Sequence, residues 1–436
     1  MLVFNLLRRR NVALLWVAAL TSAVGSSMLF VALPFYVYAR THSALATGAM
    51  FIAEMAPAIL LGSVAGVFVD RWDRRRTMIA ADLARAALLL LLLTIDMRDR
   101  LWIVYAVACA ESALSQFFTP AAGALLPRLV EDRALVTANS LTALSGNLTL
   151  FVAPSLGGAL LGLLGLPGVV LTDSASYVAS ALLVALIRPP RSAAMPASHA
   201  AHPRQDATAT WARAWREWRD GLGVIQHDRV LATLFLVEAA SALAQGLFNV
   251  LIVLFVKNVL LGSAVVLGWL VTAQGVGGLV GGLAGGRLSR AVAPGRIVGV
   301  ALLVVGALAL VTFNVPVLPL TLAGFILAGA AIVVSGINQQ ALLQSRVDDR
   351  YRGRVLGAVG TTGALLTLLG TGAASAVGDR LGAVAGLNLA CGFWLIAGML
   401  AVALLPGDAG VPSHEPDASP LRVPDGVAPT PAADPR

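Results

Sequence analysis

The sequence predicts an all-α membrane protein of twelve transmembrane helices, arranged as two pseudo-symmetric six-helix bundles with both termini in the cytoplasm. Three observations predict it. First, about twelve apolar stretches of 18 or more residues recur along a 436-residue chain that is 58% hydrophobic and 12% charged, with a mean hydropathy of +0.82. A bilayer core of about 30 Å takes about 20 apolar residues of helix, and the backbone must satisfy its own polar groups there. Second, about 25 Lys and Arg fall in the gaps that share a side with the N-terminus, whereas the opposite gaps hold about five, Arg40, Arg98, Arg100, Lys257 and Arg380. Third, the longest gap, roughly 188–228, leaves six stretches on either side.

The first bundle, 1–187, holds spans at about 12–38, 44–69, 77–95, 101–125, 137–163 and 169–187. Arg8, Arg9 and Arg10 before an apolar run suggest a signal peptide, but the run is too long and shows no small-residue cleavage pattern, so it reads as an uncleaved first span. The second bundle, 229–405, holds spans at about 229–256, 264–286, 295–314, 317–342, 354–377 and 381–405. Between them, 189–210 is rich in Pro, Ala and Ser and reads as flexible linker. Trp211, Trp215 and Trp218 then recur at i, i+4 and i+7 with Arg213, Arg216 and Arg219 between them. That pattern is an amphipathic helix over about 211–220, its rings in the membrane interface and its guanidiniums toward lipid phosphates. It serves as a strap between the halves, or alternatively as a lipid sensor. The tail, 406–436, carries eight of the chain's 21 prolines and reads as disordered.

Composition also excludes functions. The net charge of +8 is explained by the cytoplasmic loops, with no folded basic face for nucleic acid. An ATP-driven pump needs a phosphate loop ending in Gly-Lys-Ser/Thr, but Asn258 follows Lys257, the chain's single lysine. The five histidines (His42, His199, His202, His227, His414) all fall in loops, linker or tail, and no nucleophile motif occurs, so neither enzyme chemistry nor a cofactor is expected. Cys109 and Cys391 read as small apolar core residues, and no metal site is expected.

Intramembrane acids are the most informative single residues, because a charge at the bilayer centre costs about 2.5–3.5 kcal/mol on insertion scales. Glu54, Glu111 and Glu238 all fall near the middle of their spans at 1.5 Å per residue. Gln245 and Asn249 share the face of Glu238, and Ser115 and Thr119 continue that of Glu111. Asn338 and Gln339, with Gln340 and Gln274, add neutral polar lining. A carboxylate desolvated in such a place is suited to take and release a proton, and a mostly apolar cavity with few acids suits lipophilic, often cationic compounds. Asp82 and Arg85, at i and i+3, read as a local ion pair. Glycines at helix-packing spacing (Gly277, Gly281 and Gly285 on span 8; Gly158 and Gly162 on span 5) mark close helix contacts.

The gap after span 2 runs Gly66-x-x-x-Asp70-Arg71-x-x-Arg74-Arg75, and the equivalent gap after span 8 repeats its Gly and Arg as Gly282 and Arg287. Further signatures are Pro120-Ala121 through Leu126-Pro127 to Ala138-Asn139-Ser140-Leu141, Asp173-Ser174-Ala175-Ser176-Tyr177, Arg352-Gly353-Arg354-Val355, and Ala153-Pro154-Ser155-Leu156-Gly157-Gly158. Together these resemble the major facilitator superfamily over about residues 8–405, in the drug:proton antiporter branch that includes macrolide-efflux and enterobactin-exporter proteins. Asp73 stands where the family has a second Gly, Ala153 replaces the first Gly of the antiporter signature, and the Arg many exporters carry in span 4 is absent.

The resemblance implies the major facilitator fold, with spans 1, 4, 7 and 10 lining a central cavity where Glu111 faces Glu238. It implies a cytoplasmic latch of Gly66, Asp70, Arg71 and Arg75 against the start of span 11, with Arg352 or Arg354 as partners, so that Asp70→Asn inserts but scarcely transports. Pro154, Gly157 and Gly158 are the antiporter-type motif, and spans 5 and 8 slide across the interface between halves. The expected protein is a monomeric, multi-pass carrier of the bacterial inner membrane, exchanging protons for small lipophilic molecules. The alternatives are a specialised exporter of a siderophore or other metabolite, and a proton-coupled importer.

Overall fold

The computed structural model describes residues 6–94, 100–188 and 207–406. The expected disordered tail from 407 and the linker residues 189–206 lie outside the described residues. Among these there is no strand. Helices α1 (Arg10–Thr41), α2 (Ala44–Arg71), α3 (Arg74–Leu90) and α4 (Leu101–Leu125) precede one helical stretch, Asp132–Ala185. That stretch breaks at Gly165, whose φ of 67° and ψ of −170° only glycine adopts readily, giving α5 (132–164) and α6 (166–185). Then come α7 (Ala207–His227), α8 (Arg229–Asn258), α9 (Ala264–Ala291), α10 (Pro294–Asn314), α11 (Leu318–Arg346), α12 (Asp349–Leu381) and α13 (Ala383–Leu404).

Ten helices among the described residues are long and apolar enough to cross a membrane, counting Val152–Ala185 once. The two further predicted spans differ for physical reasons. Spans 5 and 6 run on as one stretch because Leu163, Leu164, Leu166 and Pro167 keep the Gly165 turn apolar. Span 3 is displaced: the Asp73 side chain caps its start by accepting from Arg76 N, so the helix begins at Arg74, and after 17 residues Leu91–Leu93 winds into a 3₁₀ turn. The amphipathic helix is longer than expected, beginning at Ala207. Leu261 and Leu283 are 84% and 80% exposed, an apolar exterior that suits lipid.

Helix α1 packs on the α5–α6 stretch, α2 on α4, and α3 on α4 and α6. In the second half α8 packs on α12 and α13, α9 on α11, and α10 on α11 and α13. The halves meet where α5 touches α9, α2 touches α12 and α1 touches α8. Gly382, between α12 and α13, has φ 77° and ψ 160°, the same glycine-only region as Gly165 between α5 and α6. These turns lie 217 positions apart, and the Gly66 and Gly282 of the sequence repeat 216, so one offset relates the halves.

The glycines of α9 have a different partner from the one expected. A Cβ on Gly277 would strike the carbonyl of Ile326, and one on Gly281 that of Ala330, both on α11 within the same half. The contact to α5 uses Gly268, 2.7 Å from Pro154 O at its ideal Cβ, and Gly158, which abuts the Ala264 carbonyl. Gly277→Val is therefore expected to lower folded stability by about 1–3 kcal/mol through backbone displacement. Gly286→Ala, with no atom within 4 Å, should leave it unchanged. Thermal unfolding in detergent checks both; equal behaviour of the two variants would refute the assignment.

Candidate functional site

Let the near face be the end where α1 begins and the far face the end where it finishes. A cavity of about 660 Å³ rises from the near face, lined by Val12 and Trp16 of α1, Leu126, and Ala138 and Asn139 of α5, to Phe30, Glu54 and Glu111 deep inside. Ser112, Ser115 and Thr119 continue the α4 wall, as the sequence pattern suggested. At the far face the halves are joined. Ser155 hydrogen-bonds the Gly268 carbonyl at 3.2 Å and the Thr272 hydroxyl, and Asn258 donates to Tyr38.

The chemistry of the cavity centres on Arg85, whose side chain is 2% exposed. It ion-pairs with Asp82 one turn earlier on α3 and reaches Glu111 of α4 at 3.7 Å. It also donates to Ser22 of α1 at 3.2 Å. Its guanidinium lies between two rings, 4.3 Å from the centroid of Tyr177 and 4.9 Å from that of Phe118. Tyr177 of α6 donates to Glu111 at 2.5 Å and shares a 2.8 Å hydrogen bond with Ser26. So Asp82–Arg85 is more than a local pair. Span 4, which carries no Arg of its own, is thus reached by a guanidinium from α3.

Two more carboxyls belong to this region. Glu54 lines the cavity from α2, where Ser112 donates to its backbone carbonyl at 2.6 Å, and its Oε2 has no hydrogen-bond partner among the described residues. Asp173 of α6 is fully buried, accepts from Ser176 at 3.2 Å, and abuts Gly25, where any Cβ would strike its Oδ1. Asp173 and Tyr177 had been read only as parts of a signature. The signal that points to Asp173 is the rule applied to the three Glu, that an acid inside an apolar span has a reason to be there; Tyr177 carries no such signal.

The acids and amides of the second half are not gathered with them. Glu238 of α8 sits opposite Gly363 of α12, 3.6 Å from the place of its Cβ, and does not line the 660 Å³ cavity. Gln245 donates to Asn249 at 2.8 Å on the shared α8 face, and with Gln274 Gln245 borders a separate space of about 30 Å³. Asn338 is 1% exposed, donates to Val334 O at 2.8 Å and accepts from Ser289 of α9 at 3.0 Å, a link between α11 and α9. Gln339 donates to Ser335 at 2.9 Å. Cys391 is buried as expected, but Cys109 is exposed on the bundle exterior.

The latch residues divide. The surroundings of Gly66 and the side chain of Asp70 lie outside the described residues, though the backbone of both is helical; Arg71 is exposed and Arg352 half-buried. Arg75 is turned away from the other half, donating to Val184 O at 3.1 Å and to Ala185 O, which caps the end of α6. Arg354 pairs with Asp220 of α7 at 3.7 Å. There α7 docks on α12, with Trp218 donating to Thr362 at 3.2 Å and stacked on an exposed Trp215. Pro154 and Gly158 of the antiporter-type motif face α9, while Gly157 packs on α1, its Cβ position 2.6 Å from Met28 O.

Comparison with known proteins agrees with this architecture. The sequence model of the Major Facilitator Superfamily matches residues 15–371 and, in a second match, 234–431. Macrolide efflux protein A of Streptococcus pyogenes is 26% identical over 377 residues, covering 84% of this chain and 89% of that protein. Multidrug efflux pump Tap of Mycolicibacterium fortuitum is 26% identical over 388 residues, covering 86% and 91%. A bacterial homologue of the iron transporter ferroportin, solved in an inward-facing state, superposes with a TM-score of 0.70 at 16% identity over 92% of this chain and 99% of that one. A variant of the nucleoside transporter NupG does so with a TM-score of 0.72 at 12% identity, over 91% and 100%. At these identities the solved structures speak for the fold alone.

Proposed function

The chain belongs to the Major Facilitator Superfamily, and from that premise we propose that this multi-pass membrane transporter exports small lipophilic compounds in exchange for protons, by alternating access. Its twelve spans form two bundles, 1–187 and 229–405, with both termini cytoplasmic. The near face is then the cytoplasmic one, and the state described is open inward. Its relatives include a macrolide efflux protein and a multidrug efflux pump, which supports export of such compounds.

The observation that carries the proposal is the Asp82–Arg85–Glu111 cluster at the wall of a mostly apolar cavity. A guanidinium with one carboxylate behind it and one in front can respond to what the front one binds. When Glu111 is ionised, Arg85 is shared between the two acids. When Glu111 takes a proton from the outer side, that attraction ends and Arg85 belongs to Asp82. Returned to the inner side, Glu111 gives up its proton, and a lipophilic cation entering the cavity meets Glu54 and Glu111 as acceptors. Gly66, Asp70 and Arg71 latch the cytoplasmic side in the outward-open state, Pro154 and Gly158 keep α5 close to α9 as the halves rock, and Glu238 with Gln245 and Asn249 serves the second half.

Inverted vesicles test the direction. With an acidic lumen, an exporter accumulates an erythromycin-type macrolide or a fluorescent lipophilic cation inside, and collapsing the gradient releases it. Glu54→Gln is expected to lower that accumulation at least tenfold, the order of effect of losing one buried charged contact. Uptake of the opposite sign would mean import, and no gradient-dependent movement across a broad panel would end the proposal.

A further inference from the structure

We infer that Asp379 is a gating residue: it holds the far face closed by capping α2 from the other half, the reciprocal of the Asp70 latch on the same antiparallel helix pair. Both carboxylate oxygens of Asp379 accept from Ala44 N, at 2.8 and 3.0 Å, and Ser43 Oγ donates to it at 3.5 Å. Ala44 opens α2, and its N–H is one of the donors a helix start leaves without a partner inside the helix. Ser43 caps a different donor, Ala46 N, at 3.3 Å. The second half thus supplies a charged acceptor to the first turn of a helix in the first half.

Asp379 does nothing for its own helix. It lies in the last turn of α12, where the helix dipole favours cations and opposes a carboxylate. What compensates it is the positive end of α2, across the boundary between halves. At the other end of the pair Asp70 also lies in the last turn of its own helix, α2, which runs antiparallel to α12. In both places the acid is followed by a base, as Asp70-Arg71 and Asp379-Arg380. The helices are also in close contact beside Asp379. A Cβ on Gly48 would strike Ser375 Oγ, and one on Gly378 would lie 2.9 Å from the Ala44 Cβ. Each helix can thus present its terminal acid to the start of its partner, one contact closing each face. Both cannot be made at once if the halves rock.

This inference rests on the alternating-access reading, but its test measures distances and not transport, so it stands or falls apart from substrate and proton. In proteoliposomes, with Cys109→Ser and Cys391→Ser as background, spin labels at Arg40→Cys and Leu261→Cys report the far face. Labels at Arg76→Cys and Ser345→Cys report the near face. Asp379→Asn is expected to raise the ratio of far-open to far-closed molecules about fivefold, the effect of one lost capping contact, while the near-face pair shortens. Asp379→Glu should keep the native ratio. Asp70→Asn should shift it the opposite way, and the double variant should return toward the native value. Ala44→Pro gives a second route, removing the donor itself at a position where helices accept proline; it should mimic Asp379→Asn. Native distance distributions in both Asp379→Asn and Ala44→Pro would overturn the inference. So would widening of both label pairs together, which would report a loosened fold instead of a released latch.

Discussion

Arg85→Gln is expected to be the most destabilising single substitution in the cavity wall. Asp82 is fully buried and the Glu111 side chain only 12% exposed, and both would lose their one cation. Breaking a buried ion pair by removing one partner costs about 3–5 kcal/mol, because the remaining charge stays desolvated. The stacking of the guanidinium between Tyr177 and Phe118 is lost as well, about 0.5–2 kcal/mol more. Arg85→Lys should fall between, since an ammonium keeps the charge but cannot reach two acids at once with a planar fork. The decisive comparison is the double variant Arg85→Gln with Asp82→Asn. Neutralising Asp82 as well leaves Glu111 as the one acid without its cation, so the double variant should recover the share of the loss that Asp82 causes, yet gradient-driven transport should stay absent. Thermal unfolding in detergent with a double-mutant cycle reads the coupling. A coupling near zero would mean that Arg85 and Asp82 do not depend on each other, and the cluster would lose its place in the mechanism.

Much of this fold is legible because a bilayer imposes one length and one periodicity on everything that crosses it. The apolar stretches from α8 to α13 could be drawn within a few residues for that reason. The turn between α5 and α6 was harder to place, since Gly165 sits in an unbroken apolar run and its signal is a backbone conformation, not a polar loop. Span 3 was drawn three residues late at its start, because the helix begins inside the charged run Arg74–Arg76, where the Asp73 side chain caps it. The site was legible only residue by residue. Glu54 and Glu111 announced themselves as acids in apolar surroundings, but spacing along one helix cannot say that Arg85 reaches from α3 to an acid of α4. For the same reason spacing does not pair Asn338 with Ser289, which lies 49 positions away on a different helix. Arg75 shows the complementary case, a basic residue in a recognised signature whose nearest duty is capping the end of α6.

Glu111→Gln should produce the largest loss of transport with the smallest loss of fold. Glutamine keeps the shape and can still accept from Tyr177, so the hydrogen bond now at 2.5 Å survives in weaker form. Arg85 keeps Asp82 as its counter-ion and the rings of Tyr177 and Phe118 on either side. The substitution therefore leaves no buried charge without a partner, and stability should change by no more than about 1 kcal/mol. What disappears is a carboxyl that can alternate between two charge states in front of a fixed guanidinium. Gradient-driven accumulation in inverted vesicles should fall at least a hundredfold, the scale of losing a positioned proton-transfer group, while binding of a macrolide to detergent-solubilised protein stays within about tenfold of native. Glu238→Gln is the matched control: it removes an acid from the other half that borders Gly363 outside the main cavity, and should cost transport far less. If Glu238→Gln proves the more damaging of the two, the proton is carried in the second half and Arg85 has only a structural role. If both variants pump normally, neither acid carries it, and the coupling falls to Glu54 or to the buried Asp173.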